Sequence, residues 1–134
     1  MIIRGIFLIV AAAGTANAQD LDLQGGRDLY RTYCSQCHGI DATGNGPMAE
    51  MLAIETPDLT TLATRNGAEF PTEAAARQID GRWPLLAHGG EMPIFGPVLE
   101  SDQHIAPALP NGQPMMTSLP LANLIAYLES VQVE

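Results

Sequence analysis

Both cysteines of the 134-residue chain and one of its three histidines fall within five consecutive positions. Cys34 and Cys37 are separated by two residues, and His38 follows directly. Thiols at this spacing can form a disulfide, act as a redox dithiol, bind a metal such as zinc, or form thioether bonds to a prosthetic group. A histidine directly behind them can ligate a metal ion.

The order C-x-x-C-H is the attachment signature of c-type haem. On one helical turn, Cys34 and Cys37 share a face and can bond to the two haem vinyl groups, while His38 directs an imidazole nitrogen at the iron. A disulfide across so short a loop would constrain the unfolded chain little. Structural zinc needs four ligands, and a redox dithiol is expected after a strand rather than after a helix. The pattern favours one covalently bound haem.

With these residues in view, the chain resembles the class I cytochrome c family over nearly all of its length after residue 18. The pattern Gly26-x-x-x-Tyr30-x-x-x-Cys34 matches the N-terminal helix of that family, whose glycine and aromatic pack against an aromatic of the C-terminal helix. Tyr127 lies where that partner is expected. The resemblance implies an all-α, small cytochrome c-like fold of a few short helices and long loops wrapped around one haem c.

The stretch "GIDATGNGP" resembles the loop that follows the haem histidine in this family. There a proline carbonyl accepts the second imidazole N–H, and Pro47 is the matching residue. Such a bond would fix the tautomer and ring angle of His38.

The other axial position of the iron in an electron carrier needs a ligand that stays bound in both oxidation states. A methionine thioether does this and raises the reduction potential. Met92, in "HGGEMPIFG", is the candidate, since Met-Pro followed by an aromatic and a glycine resembles the ligand loop of the family. Met48 and Met51 follow His38 too closely to reach around the porphyrin.

Alternatives to Met92 remain open. Met115 and Met116 are either reserve ligands or packing side chains, because a flexible thioether fills gaps well. His88 would give bis-histidine ligation, although it lacks the Met-Pro context, and His104 is expected at the surface.

The haem propionates need hydrogen-bond donors where they are partly buried. Arg82 and Trp83 are the candidates, because a guanidinium and an indole N–H are suitable donors. Equally, Arg82 can be a solvated charge and Trp83 an ordinary packing residue.

The first eighteen residues resemble a secretory signal peptide. They contain one positive charge at Arg4, an apolar run, and a small-x-small cleavage site ending at Ala18. An uncleaved N-terminal anchor is the alternative. We therefore expect a signal peptide over residues 1–18, one cytochrome c domain over residues 19–134, and a periplasmic mature protein with no membrane span.

The chain is acidic and contains no lysine. Without residues 1–18 it has five arginines against fifteen Asp and Glu residues, a net charge of −10. This balance argues against nucleic acid as a partner and favours proteins with a basic or uncharged docking patch. Acidity that only maintains solubility is the alternative.

Thirteen glycines and ten prolines divide the chain into short elements. Hydrophobic spacing and cap residues predict a helix over residues 23–37 and a short one ending at Asn66. They also predict a helix after Thr72 as N-cap, ending before Gly81, and a last helix from Ser118. Residues 82–117 are expected to be irregular.

These features predict a monohaem c-type cytochrome that transfers single electrons between redox partners, for example a dehydrogenase donor and an oxidase or another cytochrome as acceptor. No paired carboxylates or activated nucleophile indicate an enzyme. Two alternatives are the electron-accepting subunit of a periplasmic dehydrogenase or sulfur-oxidising complex, and a ligand-binding haem sensor. The length of residues 96–117 slightly favours the subunit, as a docking surface, although the segment can also be haem cover.

Overall fold

The computed structural model describes residues 20–82, 92–107, 109 and 111–133. Within these residues the fold is mostly helical, as predicted, and contains one ribbon of two strands. The elements are α1 (Leu23–Tyr33), α2 (Ser35–His38), α3 (Leu62–Arg65), α4 (Thr72–Asp80), α5 (Gly96–Leu99), β1 (His104–Ile105), β2 (Thr117–Ser118) and α6 (Leu119–Ser130), with 3₁₀ turns at Ala49–Met51 and Leu59–Thr61. The proposed signal peptide lies outside the described residues.

Helix α1 begins at an aspartate cap, since the Asp22 carboxylate accepts the Gly25 N–H at 2.9 Å. The helix predicted over residues 23–37 is divided in the structure, because α1 ends at Tyr33 and α2 starts after Cys34. The hydrogen bond from His38 N to Cys34 O, 2.9 Å long, still closes a helical turn across the C-x-x-C-H motif. The motif therefore begins at the break between the two helices.

Helices α1 and α6 cross in close contact at Gly26, as the sequence predicts. A Cβ at Gly26 would overlap the backbone carbonyl of Asn123. One turn later, the rings of Tyr30 and Tyr127 lie with centroids 5.4 Å apart and planes tilted by 48°, a favourable aromatic geometry. This crossing holds the N-terminal and C-terminal segments together.

Helix α4 ends where predicted, at Gly81, whose φ of 85° is in the left-handed region that favours glycine. Its start differs from the prediction. Thr72 is the first helical residue and Pro71 occupies the N-cap position, with no side-chain cap. The predicted start of the helix, with Thr72 as the cap, is therefore one residue later than the observed start.

The prediction that residues 82–117 are irregular is partly wrong, because this region contributes α5 and the two strands. The strands pair antiparallel, with His104 opposite Ser118. Ser118 also caps α6, since its hydroxyl accepts the Leu121 N–H and donates to Leu99 O at 2.7 Å. One side chain thus joins the ribbon, α5 and α6.

The core is small and lies mainly between α1, α4, α5 and α6. Tyr30, Leu99 and Leu124 are its largest fully buried side chains. Partly buried side chains packed against it include Leu59, Leu62, Met92, Phe95 and Met115. Among the described residues, no helix is long and apolar enough to cross a membrane.

Candidate functional site

Cys34 and Cys37 lie at the two ends of a single helical turn. The N–H of Cys37 donates to Cys34 O at 3.2 Å, and neither thiol is in a disulfide. Cys34 is buried, and burial together with the neighbouring Cys37 raises the pKa of its thiol to about 12. The pair is therefore two free thiols at the spacing predicted for two thioether bonds.

His38 is buried, and its ring is held from behind by a backbone carbonyl. Its Nδ1 lies 3.2 Å from Pro57 O, so the prediction that Pro47 makes this contact is wrong. Burial lowers the pKa of His38, and the Pro57 carbonyl opposes this by favouring the protonated ring. With Nδ1–H donating to Pro57 O, Nε2 keeps its lone pair, which is the form that binds a metal.

Pro47 is exposed because its segment packs behind the C-x-x-C-H turn. The N–H groups of Gly46 and Met48 donate to Cys37 O and Gln36 O at 3.1 and 2.9 Å. A Cβ at Gly46 would lie 2.5 Å from both of these carbonyl oxygens, so the close approach needs glycine. The backbone is thereby bound to the outside of α2, and Pro47 lies away from the imidazole.

Pro57 reaches His38 because the chain returns after the 3₁₀ turn at Ala49–Met51. The Leu59 N–H donates to Ala42 O at 2.8 Å, and this hydrogen bond holds the returning segment beside the motif. The Asp58 carboxylate then caps the next turn by accepting the Thr60 N–H. No local feature of the sequence marks Pro57 as the partner of His38.

Met92 is half-buried and packs against the hydrophobic core, on the segment that follows the undescribed residues 83–91. This segment is attached to the end of α4, since the Phe95 N–H donates to Ile79 O at 2.8 Å. The Phe95 ring also lies 6.2 Å from the ring of Tyr33, directly before Cys34. The sequence did not predict these two contacts, of which the first joins the Met92 segment to α4 and the second joins it to the residue before the motif.

The other candidate ligands differ in burial. Met115 packs against the core, whereas Met116 is exposed, and packing of Met116 against the haem remains a prediction. His104 is exposed, as expected, and bonds Glu100 at 3.1 Å. His88 lies outside the described residues.

Arg82 is exposed, and its guanidinium binds the Asp80 carboxylate and the carbonyl of Met116, the latter at 3.1 Å. A propionate contact by Arg82 remains a prediction. Trp83, the second predicted donor, lies outside the described residues.

A further contact connects the motif to the helix crossing. The Tyr30 hydroxyl is buried and donates to Gly39 O at 2.6 Å, directly after His38. Burial raises the pKa of Tyr30 above its usual range, so the phenol stays a neutral donor. The sequence predicted Tyr30 as a packing aromatic and missed this hydrogen bond.

These residues fit a bound haem chemically. Two thiols, a metal-binding imidazole with an oriented ring, and a half-buried thioether form the donor set of a haem c site. Thr56 Oγ1, beside Pro57, and Thr117 Oγ1 are buried without a hydrogen-bond partner in the described part of the chain, and buried hydroxyls normally have one.

A multi-ligand metal site of another kind is not found in the described ranges, where no three His, Cys, Asp or Glu side chains are grouped to hold a metal ion. Two surface depressions of about 750 and 310 Å³ lie elsewhere, since Cys34, Cys37, His38 and Met92 are not among their lining residues.

The sequence model of the cytochrome c family matches residues 23–132, from the start of α1 to the end of α6 and beyond. The chain belongs to the cytochrome c family. Members of this family bind haem c, which contains iron, through covalent bonds, and haem c is therefore the cofactor of the present chain. A cytochrome c is an electron-transfer protein, generally not an enzyme, and it exchanges electrons with redox partners.

This cytochrome c is also similar to a polyvinylalcohol dehydrogenase from Pseudomonas sp, with 28% identity over 92 residues. The match covers 69% of the present chain and 14% of the dehydrogenase, so the chain corresponds to a small part of that protein. No solved structure matches the chain.

Proposed function

We propose that this chain is an exported, monohaem c-type cytochrome that carries single electrons between redox partners in the periplasm. In this proposal Cys34 and Cys37 bind the haem through thioethers, and His38 and Met92 are the axial ligands of the iron.

The observation that carries the proposal is the geometry of the C-x-x-C-H turn. The two free thiols lie at the ends of one helical turn, and the His38 ring is oriented by Pro57 O at 3.2 Å. A redox dithiol would not need a buried histidine with an oriented ring, whereas haem ligation does.

Met92 is the preferred second ligand because it is half-buried against the core on a segment tethered to α4. Met116 is exposed, and Met115 packs at the core beside the C-terminal ribbon. Two protein ligands leave the iron no open position for a substrate, which suits an electron carrier better than an enzyme or a gas sensor.

The most suitable electron donor is a dehydrogenase. A region that makes up 14% of the polyvinylalcohol dehydrogenase is similar to the present chain. That dehydrogenase therefore contains a segment resembling this cytochrome c within its own chain. We infer that the present chain accepts electrons from a dehydrogenase as a separate carrier or as a subunit. The signal-peptide pattern of residues 1–18 supports export to the periplasm.

The covalent haem can be tested by mass spectrometry of the protein expressed with a haem-ligation system. We expect a chain starting near residue 19 with the mass of one added haem, and a haem-stained band on a denaturing gel. The Cys34→Ala, Cys37→Ala variant is the control and should lose both signals. An unmodified mass with a Cys34–Cys37 disulfide would contradict the proposal.

Carbon monoxide distinguishes a carrier from a sensor. A carrier with both axial positions occupied should show no spectral change when the reduced protein meets carbon monoxide. Rapid binding by the wild-type protein would instead favour the ligand-binding alternative.

A further inference from the structure

The segment of residues 48–54, with sequence "MAEMLAI", exposes four large apolar side chains in close succession. Met51 is 74% exposed, and Met48, Leu52 and Ile54 are between 37% and 40% exposed. We call these four residues the 48–54 patch. Exposed apolar patches on soluble proteins often mark binding sites for other proteins.

The 48–54 patch is attached directly to the haem-binding turn. The Met48 N–H donates to Gln36 O at 2.9 Å, between the two cysteines, and the 3₁₀ turn of the patch contacts α2. The Met51 and Leu52 N–H groups close this turn by bonding Met48 O and Ala49 O. A partner seated on the patch would therefore lie one layer of backbone from the residues that hold the haem.

The charge around the patch has one sign. No lysine or arginine occurs between Arg31 and Arg65, whereas Glu50 and Glu55 are exposed within and beside the patch. In the adjacent loop, Asp41 accepts hydrogen bonds from Thr43, which lower the pKa of its carboxyl and keep it ionised. The surface is thus apolar at its centre and negative at its edge.

Val98 and Met116, both within residues 96–117, are also exposed apolar side chains. A positive charge lies beside Met116, because the Arg82 guanidinium donates to Met116 O. Among the described contacts, neither Val98 nor Met116 has a backbone hydrogen bond to α2. The 48–54 patch is therefore the stronger candidate for a contact that combines apolar burial with negative charge.

We propose that the 48–54 patch is the docking surface for a redox-partner protein whose contact face is apolar and rimmed by arginine or lysine side chains. This inference rests on the proposed carrier function and names the surface that such a carrier uses. Apolar contact supplies the affinity, and the carboxylates steer a basic partner and set its orientation.

Tris(1,10-phenanthroline)cobalt(III) is a suitable probe, because it combines a positive charge with an apolar aromatic periphery. Hexaamminecobalt(III) has the same charge without that periphery and is the matched control ligand. Added to ¹⁵N-labelled ferric holoprotein, the phenanthroline complex should shift amide resonances of residues 40–55 more strongly than the ammine complex does. Shifts centred on residues 94–99 and 116, or equal shifts with both complexes, would overturn the proposal.

Electron transfer to the same probe tests the patch by kinetics. One electron leaves the ferrous protein and reduces cobalt(III) to cobalt(II), and stopped-flow absorbance reports the rate. The Met51→Gln, Ile54→Gln variant should react about tenfold more slowly, equivalent to about 1.4 kcal/mol. The Leu23→Gln, Val98→Gln control removes two exposed apolar side chains elsewhere and should retain the wild-type rate.

The carboxylates are tested separately by the Glu50→Gln, Glu55→Gln variant. Its rate with the cationic probe should depend less on ionic strength than the wild-type rate, because two attractive charges are removed.

Oxidation by the anion ferricyanide should stay fast in the Met51→Gln, Ile54→Gln variant. If ferricyanide cannot oxidise even the reduced wild-type protein, the proposed carrier function fails, whereas normal oxidation with unchanged rates in all patch variants overturns only the docking surface.

Discussion

Met92 is the side chain on which the proposed axial ligation depends most. Met92→Ala should abolish the near-infrared sulfur-to-iron band of the oxidised protein and open the iron to carbon monoxide. The reduction potential should fall by at least ~59 mV, a tenfold change for a one-electron couple, because the thioether stabilises the reduced iron. Visible and near-infrared spectra with a redox titration measure these effects.

Met115→Ala and Met116→Ala are the controls for this prediction. Met116 is exposed and Met115 packs against the core, so both variants should keep the band. Loss of the band in Met115→Ala, with its survival in Met92→Ala, would transfer the ligand to the later loop.

Tyr30 contributes a hydrogen bond that Tyr30→Phe removes without changing the packing of the ring. The hydroxyl donates to Gly39 O, and both residues are buried, so the variant leaves this carbonyl with only the longer bond from the Ala42 N–H, at 3.3 Å. We expect the free energy of unfolding of the holoprotein to fall by about 0.5–1.5 kcal/mol. Guanidinium unfolding followed by haem absorbance measures it.

Tyr127→Phe is the matched control, because the Tyr127 ring packs on Tyr30 and no hydrogen bond of its hydroxyl is recorded among the described contacts. Equal losses in the two variants would show that the Tyr30 hydroxyl adds nothing specific to the loop after His38.

The crossing of α1 and α6 is the helix contact that holds the N-terminal and C-terminal segments together. Gly26→Ala should separate the helices, since the added methyl group would overlap Asn123 O and a backbone atom cannot rotate away. The overlap should exceed the gain in helix propensity, with a net loss of about 2 kcal/mol in the free energy of unfolding. Thermal unfolding by circular dichroism provides the measurement.

Arg27→Ala, at the neighbouring exposed position of α1, is the control for Gly26→Ala. A surface substitution of this kind should change stability by less than about 0.5 kcal/mol. Wild-type stability in Gly26→Ala would mean that the two helices approach less closely than described.

The molecule as a whole should depend on its haem for folding. The longest helix in the described part of the chain has twelve residues, and the core there is small for the number of residues it must hold in place. Ordering the backbone costs ~1–2 kcal/mol per residue, which such a core offsets only with a large apolar body added to it. The Cys34→Ala, Cys37→Ala variant lacking haem should show weak circular dichroism and no cooperative thermal transition. A sharp transition near that of the holoprotein would contradict this dependence.

The cofactor and the fold class were predictable from the sequence because their signals are local or rest on one helix crossing. The C-x-x-C-H order specifies a chemistry through five adjacent residues, and Gly26, Tyr30 and Tyr127 mark the faces of two helices. The C-terminal end of α4 was predictable from Gly81, which favours a left-handed conformation, and the start of α6 from Ser118, which caps the helix. Both preferences act within one turn.

The partner of His38 was decided by the tertiary structure. Pro47 and Pro57 both follow the histidine, and nothing local distinguishes them. The difference arises because Gly46 binds the back of α2 and turns Pro47 outward, while the bond between Leu59 and Ala42 brings Pro57 O to the ring. Which proline contacts His38 depends on the conformation of the whole loop. A sequence pattern shows only that both prolines are present in that loop.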